Sequence, residues 1–332
     1  MKRPAKGVTT TMKRVIAVSL ALIMVISALA LAATNEKAFD AFKAGIGARA
    51  LAMGSAFVAV ADDSTAVLWN PAGLAQLNDT RIGGMSTDLY GLGLTHQYIG
   101  AVTTFANLGI GLAWEHGSYL VSKVYDANGA QITARTWDQS AILGTLAPNI
   151  MDIGLAGANV KYYMESNGAG KSASGFGFDL GVLVNLGDMF SIGIVATDLG
   201  GTNIDWGTAT PDSVSSLYKA GVAMKLADGM LVLAADLDYN GTKMGNAHVG
   251  VEFKIIKELA LRAGAVLTDN FNGVYFTVGA GINVAGLYVD VAYLINDKID
   301  NTLVLSAEFS LGDLLGGKAT TNPTTPEPTG LE

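Results

Sequence analysis

Apolar residues alternate with polar or small residues along most of the chain, from about residue 79 to residue 311. In the run from Val274 to Ile282, every second residue is apolar, and the residues between them are Tyr275, Thr277 and glycines. Side chains in a β-strand point alternately to the two faces of a sheet, so this period of two predicts strands with one apolar face. The chain is therefore predicted to consist mainly of β-strands.

Turn residues separate the alternating runs and allow the runs to be counted. Asn-Gly and Asp-Gly pairs favour tight hairpin turns. Such pairs stand at or near run ends, at 128–129, 167–168, 228–229, 240–241 and 272–273. About fourteen strands are predicted, and they cover residues 79–90, 97–106, 107–118, 134–147, 151–165, 172–186, 189–199, 215–227, 230–240, 245–255, 259–268, 273–283, 286–296 and 301–311.

Charged residues within these runs lie on the face opposite the apolar one. They include Asp179, Lys225, Asp236, Asp238, Glu252, Lys254, Arg262, Asp290 and Glu308, and Lys219 is a further candidate. If the apolar face contacts lipid, these charges line a wet lumen. A register shifted by one residue would instead turn these side chains towards lipid. Each Lys or Arg near the bilayer midplane would then cost roughly 2 to 4 kcal/mol.

This pattern predicts an all-β transmembrane protein, an antiparallel outer-membrane β-barrel of about fourteen strands. A soluble β-sandwich or propeller is the alternative. The outward faces of a sandwich would be rich in Lys, Glu, Asn and Thr, whereas the second face here is mostly Gly, Ala and Ser. The lumen-facing polar candidates are Asp179, Lys219, Lys225, Asp236, Glu252, Arg262, Asp290 and Glu308.

Composition narrows the classes of function. Half of the 332 residues are hydrophobic and 15% are charged, below the roughly 25% usual for soluble domains. A net charge of −8, without a Lys/Arg cluster after residue 14, argues against a nucleic-acid partner. The absence of cysteine excludes disulfides, thiolate catalysis and Cys-ligated metals. His96, His116 and His248 lack paired spacing, so no metal, cofactor or enzyme activity is predicted.

The N-terminus predicts export. A basic start at Met12-Lys13-Arg14 precedes an apolar stretch from Val15 to Leu31, and Ala30-Leu31-Ala32 is a small-x-small cleavage site. Residues 1–32 are therefore predicted to be a signal peptide, and a retained membrane anchor is the alternative. The expected location is the cell outer membrane. At the other end, residues 313–332 are rich in Thr and Pro and are predicted to form a flexible tail.

Residues 33–78 do not follow the strand pattern and are predicted to form a plug before the barrel of 79–312. The stretch DDSTAVLWNPAGL, residues 62–74, predicts short helices. Ser64 is the expected N-cap of a turn through Leu68, and Asn70-Pro71 is a cap followed by a favourable first helical residue. Asp62 and Asp63 are expected to accept backbone N–H groups or to pair with Arg49, Lys219 or Arg262. Alternatively, both acids are ordinary caps on a solvated loop.

Residues 38–77 resemble the N-terminal region of the FadL/TodX-type outer-membrane transporters, including the PorV/PorQ-like barrels. The similarity consists of Gly47-Ala48-Arg49, Met53-Gly54, Ala56-Phe57, Asp62-Asp63 and Asn70-Pro71-Ala72-Gly73-Leu74. The resemblance implies a fourteen-stranded barrel with a small N-terminal helical hatch in the lumen, and in that family the hatch carries the Asn-Pro-Ala motif. The residues expected to anchor or gate such a hatch are Arg49, Asp62, Asp63, Asn70, Pro71 and Gly73.

The same resemblance implies passive uptake of hydrophobic or amphipathic small molecules, as in long-chain fatty-acid transporters. A second possibility is an envelope adaptor of the PorV/PorQ type that binds secreted proteins, and a third is a structural porin. The expected partners are membrane lipid, a hydrophobic small-molecule ligand and, for an adaptor, a secreted or envelope protein.

Overall fold

The structure is a computed structural model that describes residues 40–121, 124–125, 131–132, 135–150, 154–168, 170–208, 211–268, 273–297 and 300–315. The predicted signal peptide (1–32), the start of the predicted plug (33–39) and most of the predicted tail (316–332) lie outside the described residues. Within the described part of the chain, no helix has the length and apolar character needed to span a bilayer.

The strands follow one another in chain order around a closed barrel. Their bounds are β1 Arg81–Leu89, β2 Leu94–Phe105, β3 Leu108–Val121, β4 Val124–Tyr125, β5 Gln131–Ile132, β6 Arg135–Ile150, β7 Gly154–Ser166, β8 Ser172–Leu186, β9 Phe190–Thr197, β10 Thr202–Ile204, β11 Asp212–Val214, β12 Leu217–Leu226, β13 Leu231–Tyr239, β14 Met244–Ile256, β15 Leu259–Thr268, β16 Gly273–Val284, β17 Leu287–Ile295 and β18 Thr302–Ser310.

Fourteen of these strands form the barrel, which closes where β1 pairs antiparallel with β18. Each of the fourteen predicted runs corresponds to one barrel strand, so the predicted fold class is confirmed. The strand pairs β4–β5 and β10–β11 are separate two-stranded hairpins in the connections between barrel strands.

The two ends of the barrel differ in the length of their connections. At one end, called the turn end, β16 and β17 are joined by Ala285-Gly286, whose φ angles of 49° and 85° suit a tight hairpin. At the other end, called the loop end, connections are longer and include residues 198–216, which contain β10 and β11. Outer-membrane barrels have short turns on the periplasmic side and longer loops outside.

The two faces of the wall have opposite chemistry. Large apolar side chains such as Leu112, Phe176 and Val222 are more than half exposed on the outer face. Charged side chains of the same strands point inward, and Glu252 is fully buried. The predicted register is therefore the one that the strands adopt, with an apolar band outside and polar groups inside.

Short helices fill the lumen. They are a 3₁₀ helix at Asp40–Ala44, α1 at Ala48–Ala52, α2 at Ala66–Trp69 and a 3₁₀ helix at Pro71–Gln76, while α3, Leu311–Leu314, follows the last strand. We call residues 40–77 the hatch. Most hatch side chains from Ile46 onward are buried in one hydrophobic cluster with inward-facing wall residues.

Inward-facing glycines allow the hatch backbone to touch the wall. A Cβ atom on Gly264 would lie 2.1 Å from Gly54 N, and one on Gly157 would lie 2.3 Å from Ala72 N. These distances are far below a normal contact, so any larger residue would displace the hatch. The abundance of Gly on the inner face thus has a structural reason, which is close backbone approach.

Candidate functional site

The Asn-Pro-Ala-Gly motif fixes the C-terminal half of the hatch. Asn70 is fully buried, and its Oδ1 accepts a hydrogen bond from Ala72 N at 3.2 Å. Its Nδ2 donates to Val58 O at 3.0 Å and to Val182 O on β8 at 3.1 Å. Pro71 is the first residue of the following 3₁₀ helix, as the sequence predicts. The asparagine therefore joins two parts of the hatch to the wall.

Gly73 belongs to the same motif and lies against another part of the hatch. A Cβ atom at this position would lie 2.0 Å from Ala61 O, so only glycine fits.

The prediction for Ser64 is wrong, because the N-cap of α2 is Thr65 and the local side-chain bond comes from Asp63. Asp63 Oδ1 accepts from Thr65 N at 2.9 Å.

Arg49 connects both predicted acids to the barrel wall. Its Nη1 donates to Asp62 Oδ1 at 2.5 Å and to Asp63 Oδ2 at 3.2 Å. Its Nε and Nη2 form a bidentate pair with Glu252 of β14, at 2.8 and 3.1 Å. Arg262 in turn donates to Glu252 Oε2 at 2.7 Å and to Asp290 Oδ1 at 2.6 Å. We call this set of charged residues the latch network.

The charge on Asp62 is stabilised by its neighbours. Burial raises the pKa of a carboxyl group, but the guanidinium of Arg49 and the ammonium of Lys225 outweigh that effect and lower the pKa of Asp62. Lys225 Nζ lies 3.9 Å from Asp62 Oδ2. For Arg49, burial opposes the charge, yet Asp62 and Glu252 hold its pKa well above the ordinary value. Arg49 and Asp62 thus stabilise each other in their charged forms.

Other inward-facing side chains bond the hatch backbone directly. Asp236 Oδ2 accepts from Phe57 N at 2.7 Å and from Val58 N at 2.9 Å. Glu308 Oε2 accepts from Ser64 N at 2.6 Å. These wall carboxylates serve N–H groups that would otherwise be buried without an acceptor. Both were predicted to face the lumen, whereas their backbone partners were not predicted.

The remaining predicted lumen residues lie towards the loop end. The contacts of Lys219 are with other residues than Asp62 and Asp63. Its Nζ lies 3.4 Å from Asp238 Oδ1 and 5.4 Å from the ring centre of Trp69. Asp179 Oδ1 accepts from Lys161 Nζ at 2.7 Å. Lys161 also pairs at 2.7 Å with Asp198, the first residue of the connection 198–216, which we call the long loop.

The sequence reasoning did not name Lys161 or Asp198 as site residues. Lys161 occupies the inward register of β7, so the alternation rule would have placed it in the lumen. Asp198 follows the end of β9 with a φ of 50°, whereas the predicted strand 189–199 included it. Its position depends on the fold of the loop, which alternation does not predict.

Two cavities lie on opposite sides of the hatch. The turn-side cavity has a volume of about 220 Å³ and contacts the latch network together with Arg81, Ser64 and Tyr98. The loop-side cavity has a volume of about 420 Å³, within the roughly 300–1,000 Å³ of small-molecule pockets. The adjacent residues Ile46 and Gly47 contact different cavities, Ile46 the loop-side one and Gly47 the turn-side one.

Aromatic and aliphatic groups form much of the loop-side cavity. Phe42 and Trp69 contact it from the hatch, and the apolar side chain of Val214 contacts it from the long loop. Several of its charged neighbours have partners of opposite charge, as in the Lys161–Asp179 and Lys219–Asp238 pairs. An apolar solute in this cavity would therefore meet few unpaired charges.

Among the described residues, no group of three or more His, Asp or Glu is arranged to hold a metal ion.

The barrel resembles the solved structures of two toluene transporters and of a FadL homologue. The P. putida toluene transporter TodX aligns with a TM-score of 0.60 and 15% identity, over 80% of this chain and 98% of that one. The Ralstonia pickettii toluene transporter TbuX gives 0.60 and 14%, over 80% and 98%. A Pseudomonas aeruginosa FadL homologue gives 0.54 and 13%, over 79% and 97%. The fold is therefore that of the FadL/TodX-type barrels.

The comparisons beyond solved structures give no further relative. No known family model matches the chain, and no curated protein matches it. At identities of this size the structural similarity shows the fold alone.

Proposed function

We propose that this protein is an outer-membrane channel for the passive uptake of hydrophobic or amphipathic small molecules. The observation that carries the proposal is the loop-side cavity of about 420 Å³, which lies inside a closed barrel directly against the hatch. Phe42 and Trp69 give this cavity an aromatic surface, and two of the lysines around it, Lys161 and Lys219, are paired with aspartates. A solute entering from the loop end would be held above the hatch, out of water.

The cavity and the names of the proteins that share the fold support this substrate class. Two of these are toluene transporters by name, and a third is a FadL homologue. Small aromatic hydrocarbons and long-chain fatty acids are therefore the first compounds to test. An aromatic solute would have Phe42 and Trp69 as aromatic neighbours, and offset or edge-to-face aromatic pairs gain roughly 0.5–1.5 kcal/mol beyond area burial.

Passage requires a change at the hatch or in the wall, because the hatch backbone rests directly on the wall glycines. Binding in the cavity is then the first step, and a local movement of the hatch or an opening between strands is the second. We assign the latch network and the Asn-Pro-Ala-Gly motif to hold the body of the hatch against the wall.

The test uses the full chain in liposomes, with uptake of radiolabelled toluene or of a long-chain fatty acid as the measurement. A Val214→Trp variant places a large ring beside the cavity and is expected to reduce uptake severalfold. Val222→Trp is the matched control, since Val222 is 54% exposed on the lipid-facing side and should leave uptake unchanged. Equal uptake with and without the protein would refute the proposal.

The adaptor and structural-porin roles stay predictions. Stable co-purification of a secreted or envelope protein, together with liposomes that take up no solute, would favour the adaptor. Uptake of small polar solutes at rates that fall as solute size increases would favour a general porin.

A further inference from the structure

A sharp boundary between apolar and polar residues crosses the outer face of β2, β3, β6, β7 and β8 near the loop end. One row of directly paired residues is wholly apolar or aromatic and consists of Ile99, Trp114, Ile142, Tyr162 and Phe176. The next row towards the loop end consists of Gln97, His116, Ser140, Met164 and Ser174. Aromatic girdles of outer-membrane barrels lie at the membrane interface. The second row is therefore at the depth where lipid tails meet head groups.

A hydroxyl group and an imidazole make contact in this second row. His116 Nδ1 lies 2.9 Å from Ser140 Oγ, and the two residues are direct cross-strand partners of β3 and β6. The imidazole is stacked nearly parallel on Trp114, with ring centres 5.2 Å apart and an angle of 8°. Asp138 Oδ1 lies 3.9 Å from His116 Nε2. A serine, a histidine and an aspartate thus occupy one patch of the outer face.

These groups have the chemical roles needed for acyl transfer. A serine hydroxyl becomes a nucleophile when a neighbouring imidazole takes its proton, and a carboxylate stabilises the imidazolium that forms. His116 Nδ1 accepts that proton when the imidazole carries its own hydrogen on Nε2, the atom nearer Asp138. Gln97 is the direct partner of His116 on the other side, and its amide is a donor of the type that stabilises an oxyanion.

We propose that Ser140 and His116 form a catalytic pair that hydrolyses carboxylic esters of membrane lipids on the outside of the barrel. The location determines the substrate class. Lipid ester groups lie between the acyl chains and the head groups, and the pair lies directly above the aromatic row that marks this depth. The site is separate from both cavities and from the hatch.

The reaction requires only the lipid ester and water. Ser140 Oγ bonds to the ester carbonyl carbon while its proton passes to His116 Nδ1. The tetrahedral intermediate then breaks the bond to the lipid alcohol, which leaves with the proton from His116 and yields a lysolipid. Water attacks the acyl-serine, gives one proton to His116 and releases the fatty acid, and the proton returns to Ser140.

The experiment uses the full chain in phosphatidylglycerol vesicles and has two readouts. The first is covalent labelling by an alkyl fluorophosphonate, and the second is release of free fatty acid. The wild-type chain is expected to become labelled at Ser140, as located by peptide mass spectrometry, and to release fatty acid. Ser140→Ala should abolish labelling and lower the release at least about 100-fold.

Ser118→Ala is the matched control. Ser118 lies on the same outer face one row further out, and its hydroxyl is 2.9 Å from Thr95 Oγ1. This variant should keep both labelling and hydrolysis. Failure of the wild-type chain to react with the probe and to release fatty acid would overturn the proposal, as would equal activity in the Ser140→Ala variant. If the hydrogen bond between Ser140 and His116 has only a structural role, one of these two results is expected.

Asp138 is assigned as a positioning residue, because it does not contact the serine. Asp138→Asn is expected to lower kcat about tenfold or more with KM unchanged, since the carboxylate acts only once the imidazole is charged. Unchanged kcat would remove Asp138 from the site. Uptake in the liposome assay should be the same for the wild-type chain and Ser140→Ala, so failure of this proposal is distinguishable from failure of the proposed channel function.

Discussion

The pair between Arg49 and Glu252 gives a direct test of what holds the hatch closed. Replacing Glu252 by Gln keeps the shape of the side chain and removes its charge. The Glu252 side chain is 1% exposed and that of Arg49 is 17% exposed, so water cannot replace the lost carboxylate. Arg49 would keep its bonds to the hatch acids but lose its bidentate contact with the wall.

The expected magnitude follows from the burial of this pair. Removing one partner of a buried ion pair costs about 3–5 kcal/mol, because the other charge stays buried and uncompensated. Glu252 also accepts a bond from Arg262, so two cations lose the same partner. Each 1.4 kcal/mol is a tenfold change in an equilibrium constant. The population with the hatch detached from the wall should therefore rise by about two to three and a half orders of magnitude.

Hydrogen exchange of the hatch amides measures that population. The amides of Phe57, Val58 and Ser64 donate to wall carboxylates and exchange only when the hatch leaves the wall. Glu252→Gln should speed their exchange by about two to three and a half orders of magnitude, whereas barrel-strand amides should not change. Glu258→Gln is the control, since Glu258 is an exposed acid beside the turn-side cavity, which Glu252 also contacts. Unchanged exchange in Glu252→Gln would refute the assignment of the latch.

The other predictions concern contacts within and around the hatch. Gly264→Ala puts a methyl group 2.1 Å from Gly54 N and should expose the hatch to added protease, whereas Gly144→Ala, with no atom within 4 Å, should not. Asn70→Asp removes the donor that two buried carbonyls share and should lower the thermal unfolding midpoint of the hatch; an unchanged midpoint would contradict this role. Because the pKa of Asp62 is lowered in the folded chain, its stabilising effect is present above the ordinary aspartate pKa of about 3.9 and is lost as the pH falls through the lowered value. The difference in hatch exchange between wild type and Asp62→Asn should accordingly stay constant from about pH 8 to pH 5 and shrink below about pH 4.

Much of the barrel was predictable because its signal is local. A strand with one lipid-facing side must alternate, so each run reports its own length and orientation. The run 172–186 was predicted with the bounds that β8 has, and 259–268 with those of β15. Likewise, Asn70-Pro71 carries a helix start within two adjacent residues, and the structure has that start.

Contacts between distant residues were less predictable. Arg49 and Glu252 are 203 residues apart, and alternation states that Glu252 faces the lumen without stating at which height. Height depends on how neighbouring strands are staggered, and that stagger is set by loops that carry weak patterns. For the same reason, alternation does not show which residue of a neighbouring strand lies beside His116. The actual partner is Ser140, which the register of β3 and β6 brings opposite.

The contacts around the hatch indicate where a movement costs least. Breaking the latch network separates buried charges, whereas the segment 45–47 is held by neutral contacts that are worth about 1 kcal/mol each. Trp69 Nε1 donates to Ile46 O at 2.9 Å, and Gly47 N donates to the sulfur of Met85 at 3.1 Å. Ile46 contacts the loop-side cavity and Gly47 the turn-side cavity, so this segment separates the two. A solute that passes as proposed would therefore displace residues 45–47 at lower cost than the whole hatch, and the latch network would stay intact.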